Sequence, residues 1–71
     1  MKIKIGDMFR YSDSDSCSGI ALVKEIEDRK VHVIWLVSKL NGEDADFYSN
    51  VFWDRDMLRN CQYSSVWSKL S

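Results

Sequence analysis

Hydrophobic residues recur at every second position through the middle of the chain, which is the spacing of strands that bury alternate side chains. Two long segments, 20–26 and 31–40, are rich in β-branched residues and are separated by the polar run 27–30. They predict the two long strands of a β-hairpin. In the second strand, one face carries a row of apolar side chains: Val31, Val33, Trp35 and Val37.

The first long strand breaks this alternation. Ala21 and Val23 share one face, but Ile26 falls out of phase with them. One extra residue near Lys24-Glu25 would restore the register, so we predict a β-bulge at that point. Bulges bend strands, and two long, bent strands in so short a chain favour a small closed barrel over an open sandwich.

Shorter segments supply the remaining strands. Residues 8–11 predict a first strand after a Gly-Asp turn, residues 46–53 predict a fourth strand, and residues 64–70 predict a closing strand. The Ser- and Asp-rich stretch 12–19 lacks apolar anchors, so we expect a flexible loop there.

Asp54 begins a segment with helical character. Its carboxylate can accept hydrogen bonds from free backbone amides, so we expect it to cap a single helical turn over residues 55–60. Leu58 and Cys61 would face inward from that turn. The predicted fold is therefore all-β: one domain over residues 1–71, built as a small five-stranded barrel with a short helical turn before the last strand.

Composition agrees with one small globular domain. A chain of 71 residues that is 45% hydrophobic and 30% charged is too apolar to be disordered. Ten Lys and Arg residues against eleven Asp and Glu residues leave a net charge of −1, which argues against a strongly basic nucleic-acid clamp. No secretory signal or membrane-length apolar run is visible, and the two cysteines lack metal-ligand spacing. We expect a cytoplasmic protein with reduced thiols and no membrane contact.

The residues that could perform catalysis do not combine into a reactive site. His32 is the single histidine, so it has no histidine partner for metal binding or proton transfer. No nucleophile elbow or glycine-rich phosphate loop is present. We predict that the protein is not an enzyme and has no catalytic residue, cofactor or metal site. The carboxylates that recur two positions apart all lie in polar runs: Asp13/Asp15, Asp44/Asp46 and Asp54/Asp56.

Three segments resemble the opening of small SH3-like barrels. They are a glycine-aspartate entry at 6–9, the strand GIALVKEI at 19–26, and a strand ending in V-x-W at 31–35. KOW-like and Tudor-like modules share this pattern, as do many small bacteriophage proteins. The resemblance covers about residues 5–37 and implies an SH3-like fold with a binding role, in the bacterial host cytoplasm if the protein is phage-encoded. The 12–18 loop is acidic, whereas nucleic-acid-binding relatives carry basic residues there.

Surface aromatic and acidic residues indicate a protein partner. Nine aromatic residues are more than so small a barrel can bury, so some must reach the surface. Residues 43–56 carry five acids against one arginine, a balance that can steer a basic protein surface. We therefore predict a phage-type protein–protein adaptor or host-directed factor. The residues expected to contact its partner are Tyr11, Ile34, Leu36, Glu43, Asp44, Asp46, Tyr48 and Phe52.

Two other hypotheses stay open at this point. Aromatic rings flanked by lysine and arginine could bind single-stranded nucleic acid, although the charge balance disfavours it. Outward-facing Ile34 and Leu36 could form the two-fold contact of a homodimer. A narrower form of the adaptor hypothesis is an aromatic cage for a methylated cation, to which Tyr11, Trp35 and Tyr48 would contribute.

Overall fold

The computed structural model describes residues 2–70, which form an antiparallel sheet and a helix. Residues 1 and 71 of the predicted domain lie outside this range. In chain order, the elements are β1 (Met8–Ser12), β2 (Cys17–Glu27), β3 (Lys30–Leu40), β4 (Glu43–Asp44), β5 (Val51–Trp53), α1 (Asp54–Tyr63) and β6 (Trp67–Lys69).

The sheet is built around the long hairpin of β2 and β3. β1 lies beside β2, and β6 lies beside β1 on the outer edge. The free edge of β3 is shared by two short strands, because β4 pairs with its end and β5 with its beginning. The predicted mainly-β architecture is confirmed. The described chain has six strands rather than five, however, and their pairing leaves the sheet open.

The sheet stays open because segment 46–53 is not one strand, as the sequence predicted. Only residues 51–53 pair with β3, and no ladder joins β5 to β6 within residues 2–70. The helix α1 follows β5 directly and contacts both β5 and β6. The helix therefore lies between β5 and β6, where direct pairing of these two strands would have closed a barrel.

The predicted β-bulge is confirmed. Val23 lies opposite Val33 and Glu25 lies opposite His32, which leaves Lys24 without a partner residue. As a result Ile26 returns to the inner face and packs against the core.

A second irregularity was not predicted. Ile20 lies opposite Val37 and Ala21 lies opposite Trp35, so Leu36 is the extra residue. This bulge turns Val37 away from the face that carries Trp35, and Val37 is 38% exposed. The prediction that Val37 shares the inner face is therefore wrong, because the bulge reverses the alternation at Leu36.

The core lies between the concave face of the sheet and the helix. Phe9, Ala21 and Val31 are completely buried on the strands, and Met57 is completely buried on α1. Trp67 on β6 is also buried, and its ring packs edge-on against Phe9 with centroids 6.2 Å apart. The helix thus supplies the apolar surface that covers the open side of the sheet.

The helix is longer than the predicted single turn and begins differently. It spans ten residues, and the cap position is Trp53, which makes no side-chain capping bond. Asp54 lies inside the helix, so its predicted role as the cap is wrong; its carboxylate accepts a hydrogen bond from the amide of Arg55 at 2.6 Å. Leu58 and Cys61 pack against the core as predicted, together with Met57. Three apolar residues at this spacing form one helix face, and that face makes the longer helix favourable.

Half of the Ser- and Asp-rich segment 12–19 belongs to strands. Ser12 belongs to β1 and residues 17–19 belong to β2, so the connection consists of residues 13–16. The Oδ1 atom of Asp13 accepts hydrogen bonds from the amides of Asp15 at 2.9 Å and Cys17 at 3.1 Å. This arrangement is an aspartate-stabilised turn.

The one helix described within residues 2–70 is too short and too polar to span a membrane.

Truncation of the buried helix residue tests this description of the core. We expect Met57→Ala to lower the free energy of unfolding by about 2–5 kcal/mol, because the lost side chain leaves a cavity in a small core. Arg59→Ala, on the exposed face of the same helix, should change it by less than about 0.5 kcal/mol. Urea denaturation measures both. Equal effects of the two substitutions would show that the helix does not cover the sheet as described.

Candidate functional site

Aromatic side chains meet at the end of the sheet where β1, β3, β5 and β6 approach one another. The Trp35 ring stacks on Trp67, with centroids 5.8 Å apart and planes inclined by 23°. The other contacts are edge-to-face, which is the arrangement that aromatic quadrupoles favour. The rings of this aromatic cluster belong to Tyr11, Trp35, Phe47, Phe52 and Trp67.

Gly19 makes the close approach of these rings feasible. It lies on β2 opposite Tyr11, and it is buried. A Cβ atom at this position would overlap the carbonyl oxygen of Val37 and lie 3.1 Å from the Phe47 ring and 3.2 Å from the Trp35 ring. Any other residue would therefore push the strands or the rings apart, so the glycine is needed for its lack of a side chain.

The irregular segment 45–50 carries the outer wall of the site. Its two ends are held to β3, because the Ala45 amide donates to the Ser38 carbonyl at 3.0 Å and the Val33 amide donates to the Asn50 carbonyl at 2.8 Å. Between them, the indole Nε1–H of Trp35 donates to the carbonyl of Ser49 at 2.9 Å. These bonds fix the backbone that presents Asp46, Phe47 and Tyr48.

Four rings of the aromatic cluster and this segment border an open hollow of about 420 Å³, which we call the aromatic pocket. Five of its lining side chains are aromatic, and two carboxylates also line it. No lysine, arginine or histidine belongs to the lining among the described residues. The side chains relevant to binding are Tyr11, Asp13, Trp35, Asp46, Phe47, Tyr48 and Phe52.

A hydrogen bond between Tyr11 and Asp13 fixes one of these carboxylates. The Tyr11 hydroxyl donates to Oδ2 of Asp13 at 2.7 Å. This bond, with those from the backbone of Cys17 and Asp15, holds the pKa of Asp13 below its usual range. Burial and the neighbouring carboxylate raise the pKa of Tyr11 to about 12. At neutral pH the pair is therefore a neutral phenol that positions an ionised carboxylate at the pocket.

Four of the residues predicted to bind a partner come together here: Tyr11, Asp46, Tyr48 and Phe52. Tyr48 is 99% exposed, so its ring forms the rim and not part of the core. Tyr11 and Trp35 meet edge-on at 6.0 Å, and both line the same pocket as Tyr48. The three rings suggested for a cage therefore border one hollow.

The other four predicted residues lie elsewhere. Glu43 and Asp44 are on β4, outside the pocket lining, and the carboxylate of Asp44 is paired with Lys39. Ile34 and Leu36 lie on β3 outside the lining of this pocket, and they are 46% and 53% exposed. They belong to the outer face of the sheet.

Phe47 and Asp13 are the two side chains relevant to binding that the sequence pattern does not indicate. Phe47 was placed in a strand, so its position against Trp35, with centroids 4.7 Å apart, could not be derived. Asp13 was treated as one of several exposed acids. The signal for Asp13 was the Asp-Ser-Asp-Ser run, which is typical of a side-chain-stabilised turn beside a strand.

Among residues 2–70, no group of three or more histidine, cysteine, aspartate or glutamate side chains could hold a metal ion. Comparisons of the chain with models of protein families, with curated proteins and with solved structures found no match.

The ionisation of Tyr11 gives a test of the Tyr11–Asp13 contact. Tyr11 keeps its proton to higher pH in the folded state than at its ordinary pKa of 10.0, so the folded state binds more protons between pH 10 and about 12. The contribution of Tyr11 to the free energy of unfolding should therefore be complete below pH 10 and be lost as the pH rises towards 12. We expect Tyr11→Phe to make this fall shallower.

Urea denaturation across this pH range measures the effect, with Tyr63→Phe as the control. Tyr63 is 76% exposed, so its substitution should leave the slope as it is in the unmodified protein. If both substitutions change the slope equally, Tyr11 is not held as described.

Proposed function

We propose that this protein is a non-catalytic binding module that recognises a cationic side chain of a protein partner through the aromatic pocket. The observation that carries the proposal is a hollow walled by aromatic rings that also holds the carboxylates of Asp13 and Asp46, with no cation in its described lining. In this proposal the protein acts as a small adaptor or host-directed factor of phage type.

We also propose that the fold is an open relative of the SH3-like barrels of KOW-like and Tudor-like modules. The features that support it are the long hairpin bent by two bulges, the pairing of β6 with β1, and the helix just before that strand. In this interpretation, the aromatic pocket occupies the open end of the barrel.

Ring faces and carboxylates attract cations by different and additive mechanisms. A guanidinium or ammonium group over an aromatic face gains about 0.5–2 kcal/mol, depending on how far it is desolvated. A carboxylate adds a charge-assisted hydrogen bond, which is stronger than a bond between neutral groups. An arginine side chain suits this pocket, because its planar head can stack on a ring while its edge donates to Asp46.

Nucleic acid is a weaker candidate for this pocket. Phosphate groups would approach the carboxylates of Asp13 and Asp46, and like charges repel at this range. A nucleic acid would have to bind through its bases alone, so phosphate contacts would add nothing to its affinity.

Titration of short peptides tests the proposed function. We expect a capped peptide with one arginine among serines and glycines to shift the Trp35 indole N–H signal in NMR spectra. The same peptide with citrulline, which is neutral and nearly isosteric, should bind at least about fivefold more weakly, since it lacks the cation. Equal binding of the two peptides would overturn the proposal, as would tighter binding of a single-stranded oligonucleotide.

Two matched pairs of variants assign this binding to the aromatic pocket. Asp46→Asn should weaken the arginine peptide, whereas Glu43→Gln removes one charge outside the pocket and should not. Tyr48→Ala should also weaken it, whereas Tyr63→Ala removes an exposed ring on α1 and should not. If the control of either pair weakens binding as much as its partner, the aromatic pocket is not the site.

Self-association is a second candidate function, favoured by the outer face of the sheet. Ile34, Leu36 and Val37 are exposed there, 46%, 53% and 38% respectively, and Leu22 lies opposite Ile34. Exposed apolar patches of this kind commonly mark protein contacts. Sedimentation over a wide concentration range should show a dimer that Ile34→Ser abolishes. A monomer at all concentrations would exclude this second function.

A further inference from the structure

A second hollow lies beside the aromatic pocket, on the side of the helix. It measures about 450 Å³ and is enclosed by β5, α1 and the start of β6. We call it the helix pocket. The lining side chains that matter for binding are Tyr11, Asp13, Phe52, Trp53 and Asp56.

The two hollows adjoin along a shared wall. Tyr11, Asp13 and Phe52 line both of them. The Phe52 ring is itself fixed from both sides, because it packs edge-on against Trp35 at 6.1 Å and against Trp67 at 5.0 Å. The shared wall is therefore a packed divider, and the two pockets form consecutive parts of one groove.

The whole groove carries negative charge. Asp46 lines the aromatic pocket, Asp56 lines the helix pocket, and Asp13 lines both. Neither lining includes a lysine, arginine or histidine among the described residues. Within residues 2–70, the carboxylates of Asp46 and Asp56 accept no hydrogen bond from a side chain or the backbone, and they form no ion pair.

Two cations interact with Trp53, whose ring lines the helix pocket. Lys30 Nζ lies 5.4 Å from the ring centroid of Trp53, and the guanidinium carbon of Arg55 lies 5.5 Å from it. Both interact with the ring of Trp53 and do not belong to the pocket lining. Neither of these two cations therefore supplies positive charge to the helix pocket, and on the other side of the groove Asp46 also borders a neighbouring hollow that Lys24 and His32 line.

We propose that the groove binds one extended basic peptide that places two cationic side chains, one in each pocket. This inference rests on the proposed function and extends it from one side chain to a motif. The two hollows share the wall formed by Tyr11, Asp13 and Phe52, so a peptide that fills both must point two nearby side chains to the same side. In an extended chain, residues i and i+2 point to the same side and lie about 6.4–6.8 Å apart, which is the shortest spacing that does so. The preferred motif is two arginines separated by one residue.

Occupation of both pockets has a measurable consequence. Once the first arginine is bound, the second meets its pocket at the high effective concentration of a short tether. A peptide with two arginines at the i and i+2 positions should therefore bind at least about tenfold more tightly than the same peptide with either arginine replaced by citrulline. Moving the two arginines to adjacent positions keeps the charge and should lose most of this gain, because adjacent side chains of an extended peptide face opposite sides.

Separate indole signals distinguish the two pockets in an NMR titration. Of these two pockets, Trp35 lines the aromatic pocket alone and Trp53 lines the helix pocket alone. We expect the two-arginine peptide to shift both indole N–H signals with one dissociation constant. Asp56→Asn should weaken this peptide and reduce the Trp53 shift while the Trp35 shift persists. Glu43→Gln is the charge-matched control and should change neither signal.

The outcomes separate this inference from the proposed function. If only Trp35 responds and the second arginine adds no affinity, the two-site motif is overturned and the single-side-chain function stands. If the adjacent-arginine peptide binds as tightly as the spaced one, the gain is general charge attraction, and the motif is again overturned. If citrulline peptides bind as well as arginine peptides, both proposals fail.

Discussion

The stacking of Trp35 on Trp67 is the contact on which both the fold and the site depend. Trp67 lies on β6 at one edge of the sheet and Trp35 on β3 near the other, so their contact brings the two edges together although no strand pairing does. Phe52 packs edge-on against both rings. Side-chain packing therefore does what hydrogen bonds do in a closed barrel, and it leaves an opening whose walls are aromatic.

Much of the central hairpin could be predicted because its pattern is local. The phase break between Val23 and Ile26 indicated the bulge at Lys24, since only an extra residue returns Ile26 to the core. The second bulge left no such sign. Leu36 and Val37 are both apolar. The alternation of polar and apolar residues is therefore the same with or without a bulge at this point. Structure was needed to show that neither of these side chains faces inward.

Half of the candidate site could be predicted, because some of its residues are indicated by the local sequence and others by tertiary contacts alone. Exposed aromatics and local acidic charge indicated Tyr48 and Asp46 without any knowledge of the fold. Phe47 and Asp13 reach the pocket through contacts that sequence patterns do not express: a backbone segment tied to the Trp35 indole, and a turn closed by a carboxylate. The helix was foreseen only as a single turn, so the hollow between α1 and the sheet could not be anticipated.

The distribution of charge is the feature of this opening that the proposed binding function explains. In a chain this small, a groove walled by rings would gain stability from further burial, or from a cation that shields its carboxylates. Here Asp46 and Asp56 stand on either side of the shared wall, with Asp13 fixed between them by Tyr11. The linings of the two pockets give these carboxylates no cation among the described residues, and the proposed positively charged ligand would supply it. Departures from the rules of stable folding concentrate at functional sites. This groove combines such a departure, carboxylates with no cation in the described lining, with a hollow shape and aromatic walls.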